Sequence, residues 1–261
     1  MSNRTARKIL LAVAVPVFLF SSVMVFKYHR EMHIGAEYVE TVVEMAVTPS
    51  TEPFGDQSIP AAVNETADIV PIQVDFDVLS KENQDVIGWL YCPDTSINYP
   101  VVQAADNEYY LHRLLDDSKN AAGTLFMDYR NTADLSDWNS VIYGHNMKNG
   151  SMFGSLPDYK TQAYFDAHPQ MFLLTPEKTY MVELVAGYTT PANSELYATR
   201  SPSEEEKARL VENWLDASNF VSGNDIDAED RLITLSTCSY EYHDARYVLI
   251  GILKELRDEK K

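Results

Sequence analysis

A cysteine, a histidine and an arginine stand where predicted β-strands begin or end. Cys238 closes the run 234–238 (TLSTC), Arg246 opens the next strand, and His145 follows a strand that ends at Tyr143. A thiol attacks as the thiolate, so it needs a base or cation nearby, and an imidazole supplies both roles and then acts as general acid. A guanidinium suits the oxyanion that forms when a carbonyl is attacked. The three types together predict acyl transfer through a cysteine.

Each of these residue types is weak evidence when it stands alone. A single cysteine in an apolar strand is usually a packed core thiol, and a single arginine after it is usually half of a surface ion pair. The remaining histidines lack a comparable setting; they are His29, His33, His112, His168 and His243. The chain has no Cys-x-x-Cys or His-Glu-x-x-His spacing, so we predict no metal site and no cofactor.

The elements that must position these residues are mostly strands. Seven short segments rich in aromatic and β-branched residues are separated by turn residues, at 87–91, 97–102, 123–128, 140–143, 180–189, 231–237 and 247–253. Short strands at such spacing are typical of a β-sandwich or a β-barrel. The sequence therefore predicts a mostly β fold.

Two helices are predicted within this β fold. A short one is expected at 75–83, and a longer one at 202–218, inserted before the last two strands. For the longer helix, Ser201 is the expected N-cap, Pro202 the first helical residue, and Glu204 the third residue after the cap. This pattern is typical of a capping box with proline at the first position.

The first thirty residues differ from the rest in hydropathy. Residues 9–26 form an uninterrupted uncharged stretch without a clean cleavage site after it, and spanning a bilayer takes roughly 17–25 residues. We therefore predict a transmembrane signal anchor within 1–30, with a cytoplasmic N-terminus, rather than a cleaved signal peptide. Beyond it we expect an extracytoplasmic stalk at 31–73, the domain that carries the three residues at 74–257, and a tail at 258–261.

Charge divides the chain in the same place. The 261 residues hold 21 Lys and Arg against 39 Asp and Glu, for a formal net charge of −18. Residues 1–30 contain five cations and no acid, so the remaining residues carry sixteen cations against 39 acids. Binding to nucleic acid needs clusters of Lys and Arg. The composition excludes a nucleic-acid partner and is consistent with export of everything after the anchor.

The motifs around the three residues resemble those of the class B sortases. Residues 143–154 (YGHNMKNGSMFG), 234–238 and Arg246 carry the resemblance. It continues through 75–88, 99–103 (YPVVQ), 106–111 (DNEYYL) and 123–130 (GTLFMDYR), and covers about 75–254. The resemblance implies a closed sortase β-barrel of about eight strands, one more than the pattern gives, with short helices and an inserted helix where 202–218 is predicted.

The same resemblance implies a cysteine transpeptidase. Cys238 would attack the carbonyl of a Thr in the C-terminal sorting signal of a secreted protein, His145 would act as general acid and base, and Arg246 would stabilise the oxyanion. An amine of cell-wall peptidoglycan would resolve the thioester. The expected signal is Asn-Pro-x-Thr or a related Pro-x-Thr sequence, and no cofactor takes part.

Matching residue by residue also implies a peptide-binding groove. Asn107, Leu111 and Ser236 correspond to groove positions, and Tyr197 and Leu196 correspond more loosely. Outside this resemblance the first three would be interpreted as a turn amide, a core leucine and a strand hydroxyl.

The second cysteine has two interpretations. Two cysteines in an exported chain usually form one disulfide, here Cys92 with Cys238. That bond would consume the nucleophile, so under the sortase hypothesis Cys92 is a structural free thiol.

Other functions fit parts of the sequence. A thiol peptidase would release the acyl-enzyme to water, although papain-like enzymes place Cys before His and at the start of a helix. A pilin-polymerising sortase would use a lysine amine as acceptor. A non-catalytic anchored binding module would use the acidic surface. The identity of the acceptor depends on groove shape, which the sequence leaves open.

Overall fold

The computed structural model describes residues 3–50, 70–197, 202–227 and 229–256. Three parts of the predicted organisation lie outside the described residues. They are residues 51–69 of the predicted stalk, the expected N-cap Ser201, and residues 257–261, which are the last residue of the predicted domain and the predicted tail.

One long helix, α1 (Asn3–Ala46), covers both the predicted anchor and the first part of the predicted stalk. Its apolar half is exposed, with Phe18 and Phe26 each 71% accessible. Among the described residues it is the one helix long and apolar enough to cross a membrane, judged by length and composition alone. An exposed apolar helix of this length fits a lipid environment better than water.

The second half of α1 packs onto the body of the protein. Val42 and Ala46 are buried there, and the Tyr38 hydroxyl donates to the Glu82 carboxylate at 2.8 Å. The helix continues into β1 (Val47–Pro49), which pairs antiparallel with β2 (Ile72–Val74). The described part of the predicted stalk is therefore folded against the domain, and the domain start at residue 74 stays a prediction.

The remaining elements follow in chain order. They are α2 (Phe76–Glu82), β3 (Val86–Tyr91), β4 (Asn98–Val102), β5 (Leu125–Met127), β6 (Asn139–Tyr143), α3 (Gln162–Ala167), β7 (Gln170–Leu174), β8 (Thr179–Pro191), α4 (Glu204–Ala217), β9 (Leu232–Cys238) and β10 (Ala245–Leu256). Short 3₁₀ turns occur at Tyr109–His112, Leu156–Lys160 and Glu195–Tyr197.

Eight strands close into a barrel in the order β10-β8-β7-β3-β4-β5-β6-β9. Neighbours are antiparallel except for β4 with β5 and β6 with β9, which are parallel. The predicted eight-stranded barrel is confirmed, and the strand missing from the sequence pattern is β7. Its residues Gln-Met-Phe-Leu-Leu contain no β-branched side chain and no alternation, because four of the five are buried, so period-two patterning does not reveal the strand.

Alternate side chains divide between the barrel interior and its outer surface. On β3, Leu90 belongs to the interior cluster together with Cys92, whereas Trp89 faces outward into a cluster with Val42 and Leu79. Burial of alternate faces in this way is expected when one side of a sheet lines a core and the other is covered by helices.

The inserted helix α4 packs on the outer faces of β8 and β10 through Leu210 and Trp214. Its N-cap is Ser203, whose hydroxyl accepts from the Glu206 amide while the Glu206 side chain accepts from the Ser203 amide. The predicted cap at Ser201 was therefore two residues early. Both serines have an acid three residues later, and the local pattern does not choose between them.

Candidate active site

Strand pairing brings the cysteine and the arginine face to face. In the antiparallel pair of β9 and β10, Cys238 lies opposite Arg246. Cys238 is half-buried and unpaired at the end of its strand. The connection from Ser239 to Asp244 turns back sharply, and the Ser239 amide donates to the Ala245 carbonyl at 2.9 Å. The thiol and the guanidinium are thus fixed at one rim of the barrel.

Parallel pairing of β6 with β9 brings the histidine segment to the same rim. The register sets Tyr143 opposite Ser236. Beyond it, the Thr237 hydroxyl donates to the Gly144 carbonyl at 2.8 Å, and the Asn146 side chain donates to the Cys238 carbonyl at 2.8 Å. A Cβ at Gly144 would collide with the side chains of Leu125 and Phe153, so only glycine permits this close turn.

His145 is oriented by a backbone group from another part of the chain. Its Nε2 lies 2.8 Å from the Leu111 carbonyl oxygen. A carbonyl only accepts, so Nε2 carries the proton, and Nδ1 of the neutral ring is left as the acceptor. The ring also stacks on His112, with centroids 5.9 Å apart. The imidazole is therefore held in one orientation and one tautomer.

The loop between Cys238 and Arg246 is tied down by Glu241. Its carboxylate accepts from Lys160 and from Ser239, and these bonds, chiefly the one from Lys160, lower the pKa of Glu241 to about 2. Lys160 also lies over the ring of Tyr247 at 5.3 Å. The loop that joins the two facing residues is thus attached to the neighbouring 3₁₀ turn.

A groove of about 550 Å³ opens at this rim. Seven of the eight predicted site residues line it, namely Asn107, Leu111, His145, Tyr197, Ser236, Cys238 and Arg246. Leu196 does not line it, because its side chain is 3% exposed and packs in the cluster beneath α4. Of the two loosely matched positions, the structure therefore places the tyrosine at the groove and the leucine away from it.

Three of the predicted groove residues have polar side-chain partners. The Asn107 side-chain oxygen accepts from the Tyr129 amide at 3.0 Å, and the Tyr197 and Ser236 hydroxyls lie 2.8 Å apart. Burial raises the pKa of Tyr197 to about 12, against the opposing effects of the Ser236 bond and the Arg246 charge. Tyr197 is therefore neutral at physiological pH and presents a hydroxyl to the groove.

The two cysteines lie in different environments. Cys92 is completely buried inside the barrel, where burial raises the pKa of its thiol, and its Sγ lies 3.7 Å from the Tyr159 hydroxyl. Both cysteines are free thiols. The disulfide interpretation is therefore wrong for this structure.

This rim combines a half-buried thiol, an oriented imidazole and a guanidinium beside an elongated groove. Such a set can form a thioester and resolve it, which is acyl transfer. Within the described ranges, no group of three or more His, Cys, Asp or Glu side chains is arranged to hold a metal ion.

The sortase domain, as defined by its family model, matches residues 90–254. This chain belongs to the sortase family. Sortase B of Listeria monocytogenes is 34% identical over 94% of this chain and 96% of that protein. A Bacillus anthracis structure described as similar to sortase B is 32% identical, covers 88% of this chain and 98% of that one, and has a TM-score of 0.69. The Staphylococcus aureus sortase B–substrate complex is 27% identical, with coverages of 70% and 85% and a TM-score of 0.66.

These similarities confirm the class B assignment made from the motifs. The sortase is a cysteine transpeptidase with the eight-stranded barrel of its class. The similarity to the Listeria protein extends through the N-terminal region, since it spans 248 residues of this chain.

Sequence reasoning missed part of the groove wall. Phe126, Arg130, Tyr143, Gly144, Thr237 and the segment 192–194 also line the groove. Arg130 is paired with Asp128, a buried carboxylate. The sequence signal for this pair is an acid and an arginine two residues apart, directly after β5.

Proposed function

We propose that this sortase cleaves C-terminal sorting signals of secreted proteins after Thr and transfers the protein to an amine of cell-wall peptidoglycan. The single observation that carries the proposal is the convergence of Cys238, Arg246 and His145 at one rim of the barrel, beside the groove. A substrate complex is known for the similar Staphylococcus aureus sortase B. That likeness supports use of the groove for a peptide here.

The first half-reaction forms a thioester. The Cys238 thiol gives its proton to Nδ1 of His145, and the resulting thiolate attacks the Thr carbonyl carbon. The carbonyl π electrons move onto oxygen, where the Arg246 guanidinium donates hydrogen bonds to the oxyanion. Collapse breaks the C–N bond, and His145 protonates the departing amine. The Nε2 bond to the Leu111 carbonyl supports this role because it leaves Nδ1 free to carry the transferred proton.

The second half-reaction returns the enzyme to its starting state. The peptidoglycan amine attacks the thioester carbonyl while His145 takes its proton, and the thiolate of Cys238 leaves. One amide bond is broken and one is formed, so no oxidant, metal or other cofactor is consumed. Water in place of the amine would give hydrolysis.

The N-terminal helix supports a place on the membrane. We propose that residues 9–26 anchor the chain with its N-terminus in the cytoplasm and its barrel outside. Three cations precede this stretch and two closely follow it, which favours this orientation only weakly. The acidic remainder of the chain is consistent with export.

The test uses quenched fluorescent peptides that carry Asn-Pro-x-Thr and related Pro-x-Thr signals, with and without an amine acceptor. We expect cleavage and an amine-dependent ligated product. Cys238→Ala and His145→Ala should each lower the cleavage rate by about a thousand-fold or more, because the members of a catalytic unit act together.

Each remaining outcome of this assay has a distinct meaning. Equal turnover by Cys238→Ala would end the transpeptidase proposal. Cleavage without ligation to any amine would indicate a thiol peptidase. Ligation to a pilin-type lysine peptide but not to a peptidoglycan-type amine would indicate a pilin-polymerising sortase, and binding without cleavage would indicate a non-catalytic module.

A further inference from the structure

A buried acid and an arginine contact the part of the groove wall that Tyr197 forms. We propose that Asp128 and Arg130 are positioning residues that fix Tyr197 in place and so set the affinity of the sortase for its peptide. The proposal rests on the proposed function for the nature of the ligand. Its structural part, the restraint on Tyr197, stands independently.

Asp128 is the fixed point of this arrangement. Its side chain is almost fully buried after β5 and accepts from Arg130 Nε at 2.8 Å, Arg130 Nη2 at 2.7 Å and the Arg130 amide at 3.0 Å. The Tyr143 hydroxyl donates a fourth bond at 2.9 Å. Burial alone would favour the neutral acid, but the bonds from Arg130 outweigh it and lower the pKa of Asp128. The carboxylate is therefore ionised and saturated with donors.

Arg130 connects Asp128 to the groove wall at Tyr197. Its Nη2 donates to the Tyr197 carbonyl oxygen at 3.1 Å, across 67 residues of sequence. The Tyr197 ring stacks on that of Tyr143 with centroids 6.1 Å apart, and its hydroxyl meets the Ser236 hydroxyl. Of these three contacts, two trace back to Asp128, through Arg130 and through Tyr143, and the Tyr197 amide also donates to the Ser194 carbonyl at 3.1 Å.

Loss of Arg130 would release the wall without touching the reacting groups. The three proposed catalytic residues are held by the β6, β9 and β10 register and by the Leu111 carbonyl, none of which involves Arg130. A less ordered Tyr197 weakens peptide binding, because part of the binding free energy is then used to order the groove wall. We therefore expect an effect on KM and little effect on kcat.

Arg231 offers a matched control. It is 31% exposed against 35% for Arg130, donates to the Leu135 carbonyl at 3.3 Å and pairs with Glu255 at 3.7 Å. It lies next to the start of β9, at the opposite end of that strand from Cys238. Arg231→Met removes an arginine of similar exposure, together with its weaker ion pair, without reaching the groove.

The experiment compares Arg130→Met, Asp128→Asn and Arg231→Met in the full chain. For Arg130→Met we expect KM for the signal peptide to rise about ten-fold with kcat within about two-fold, and the peptide Kd measured in a Cys238→Ala background to rise equally. Asp128→Asn should also raise KM and the peptide Kd. The double variant should resemble Arg130→Met alone, because the two residues act as a unit. Arg231→Met should leave both constants unchanged.

Amide hydrogen exchange of residues 192–197 separates this proposal from the proposed function. Exchange should be faster in Arg130→Met than in the wild type or in Arg231→Met, whether or not any peptide binds. If the wild type neither cleaves nor binds a sorting signal, the proposed function fails while this readout still decides the positioning role.

Three results would overturn the inference. They are unchanged exchange at 192–197, unchanged KM and Kd in Arg130→Met, or a fall in kcat at constant KM. Arg130→Lys covers the case in which the methionine variant does not fold. It keeps the charge but loses the two-pronged contact, and an intermediate KM is expected.

Discussion

The two thiols of this sortase share a residue type and differ in everything around them. Cys238 is half-exposed at the end of β9 and faces a guanidinium across the strand pair. Cys92 lies inside the barrel, with its thiol pKa raised by burial. Reactivity of a thiol depends on access and on the stability of its thiolate. Position therefore gives one cysteine a chemical role and the other a packing role.

This difference predicts how the thiols react. In native, unreduced protein we expect Ellman's reagent to modify one thiol per chain, and two per chain after denaturation in guanidinium. Cys238→Ala should lose the native reaction and keep one thiol in the denatured state. Zero free thiols in fully active protein would contradict the assignment, since it would mean that a disulfide coexists with catalysis.

At the scale of elements, α1 performs two tasks along one continuous helix. Its first half is apolar and exposed, and its second half is packed against the barrel. The Asn120 side chain donates to the Glu31 carbonyl at 2.8 Å, so contact with the body begins only a few residues after the apolar stretch ends. The docked half covers the outward-facing cluster around Trp89 and Leu79. Docking of α1 is thus part of the fold and does more than provide a tether.

Docking of α1 predicts unequal costs for two truncations on the same helix. Val42 is 1% exposed and Ile34 is 46% exposed. Val42→Ala should lower the free energy of unfolding by about 2 kcal/mol through lost burial and a residual cavity. Ile34→Ala should change it by less than about 0.5 kcal/mol.

Urea unfolding of a chain that begins at residue 27 measures both variants. Each substitution replaces a β-branched residue by alanine within the helix, so the change in helix propensity cancels between them. Equal stabilities for the two variants would show that α1 does not dock in solution.

At the scale of the whole molecule, charge and hydropathy separate the first thirty residues from the body. Residues 1–30 hold five cations and no acid, and the acids all lie beyond them. Ten of the fourteen residues from Val13 to Phe26 are large, apolar and exposed. An exposed apolar surface of this kind is stable only in lipid or detergent.

This separation predicts the behaviour of the chain on fractionation. The full chain should sediment with membranes and need detergent for extraction, because transfer of its helix to water exposes the apolar surface. The chain that begins at residue 27 should remain in the supernatant and retain peptide cleavage. Recovery of the full chain in the soluble fraction without detergent would argue against the anchor.

Local sequence patterns by themselves determined much of this protein. Residue types and motifs gave the thiol, imidazole and guanidinium chemistry, and short runs rich in aromatic and β-branched residues between turn residues gave seven of the eight barrel strands. A long uncharged stretch gave the N-terminal helix. Each of these features is written within a few neighbouring residues, where side-chain periodicity and residue chemistry act directly.

Tertiary structure decided whatever depends on contacts distant in sequence. The parallel pairing of β6 with β9 brings His145 to the rim that holds Cys238, across more than ninety residues. The Arg130 bond to Tyr197 spans 67 residues, and the burial of Leu196 under α4 removes it from the groove. Strand register and the contacts of the groove wall are set by closure of the whole barrel. A short segment of sequence does not specify which distant segment it will contact.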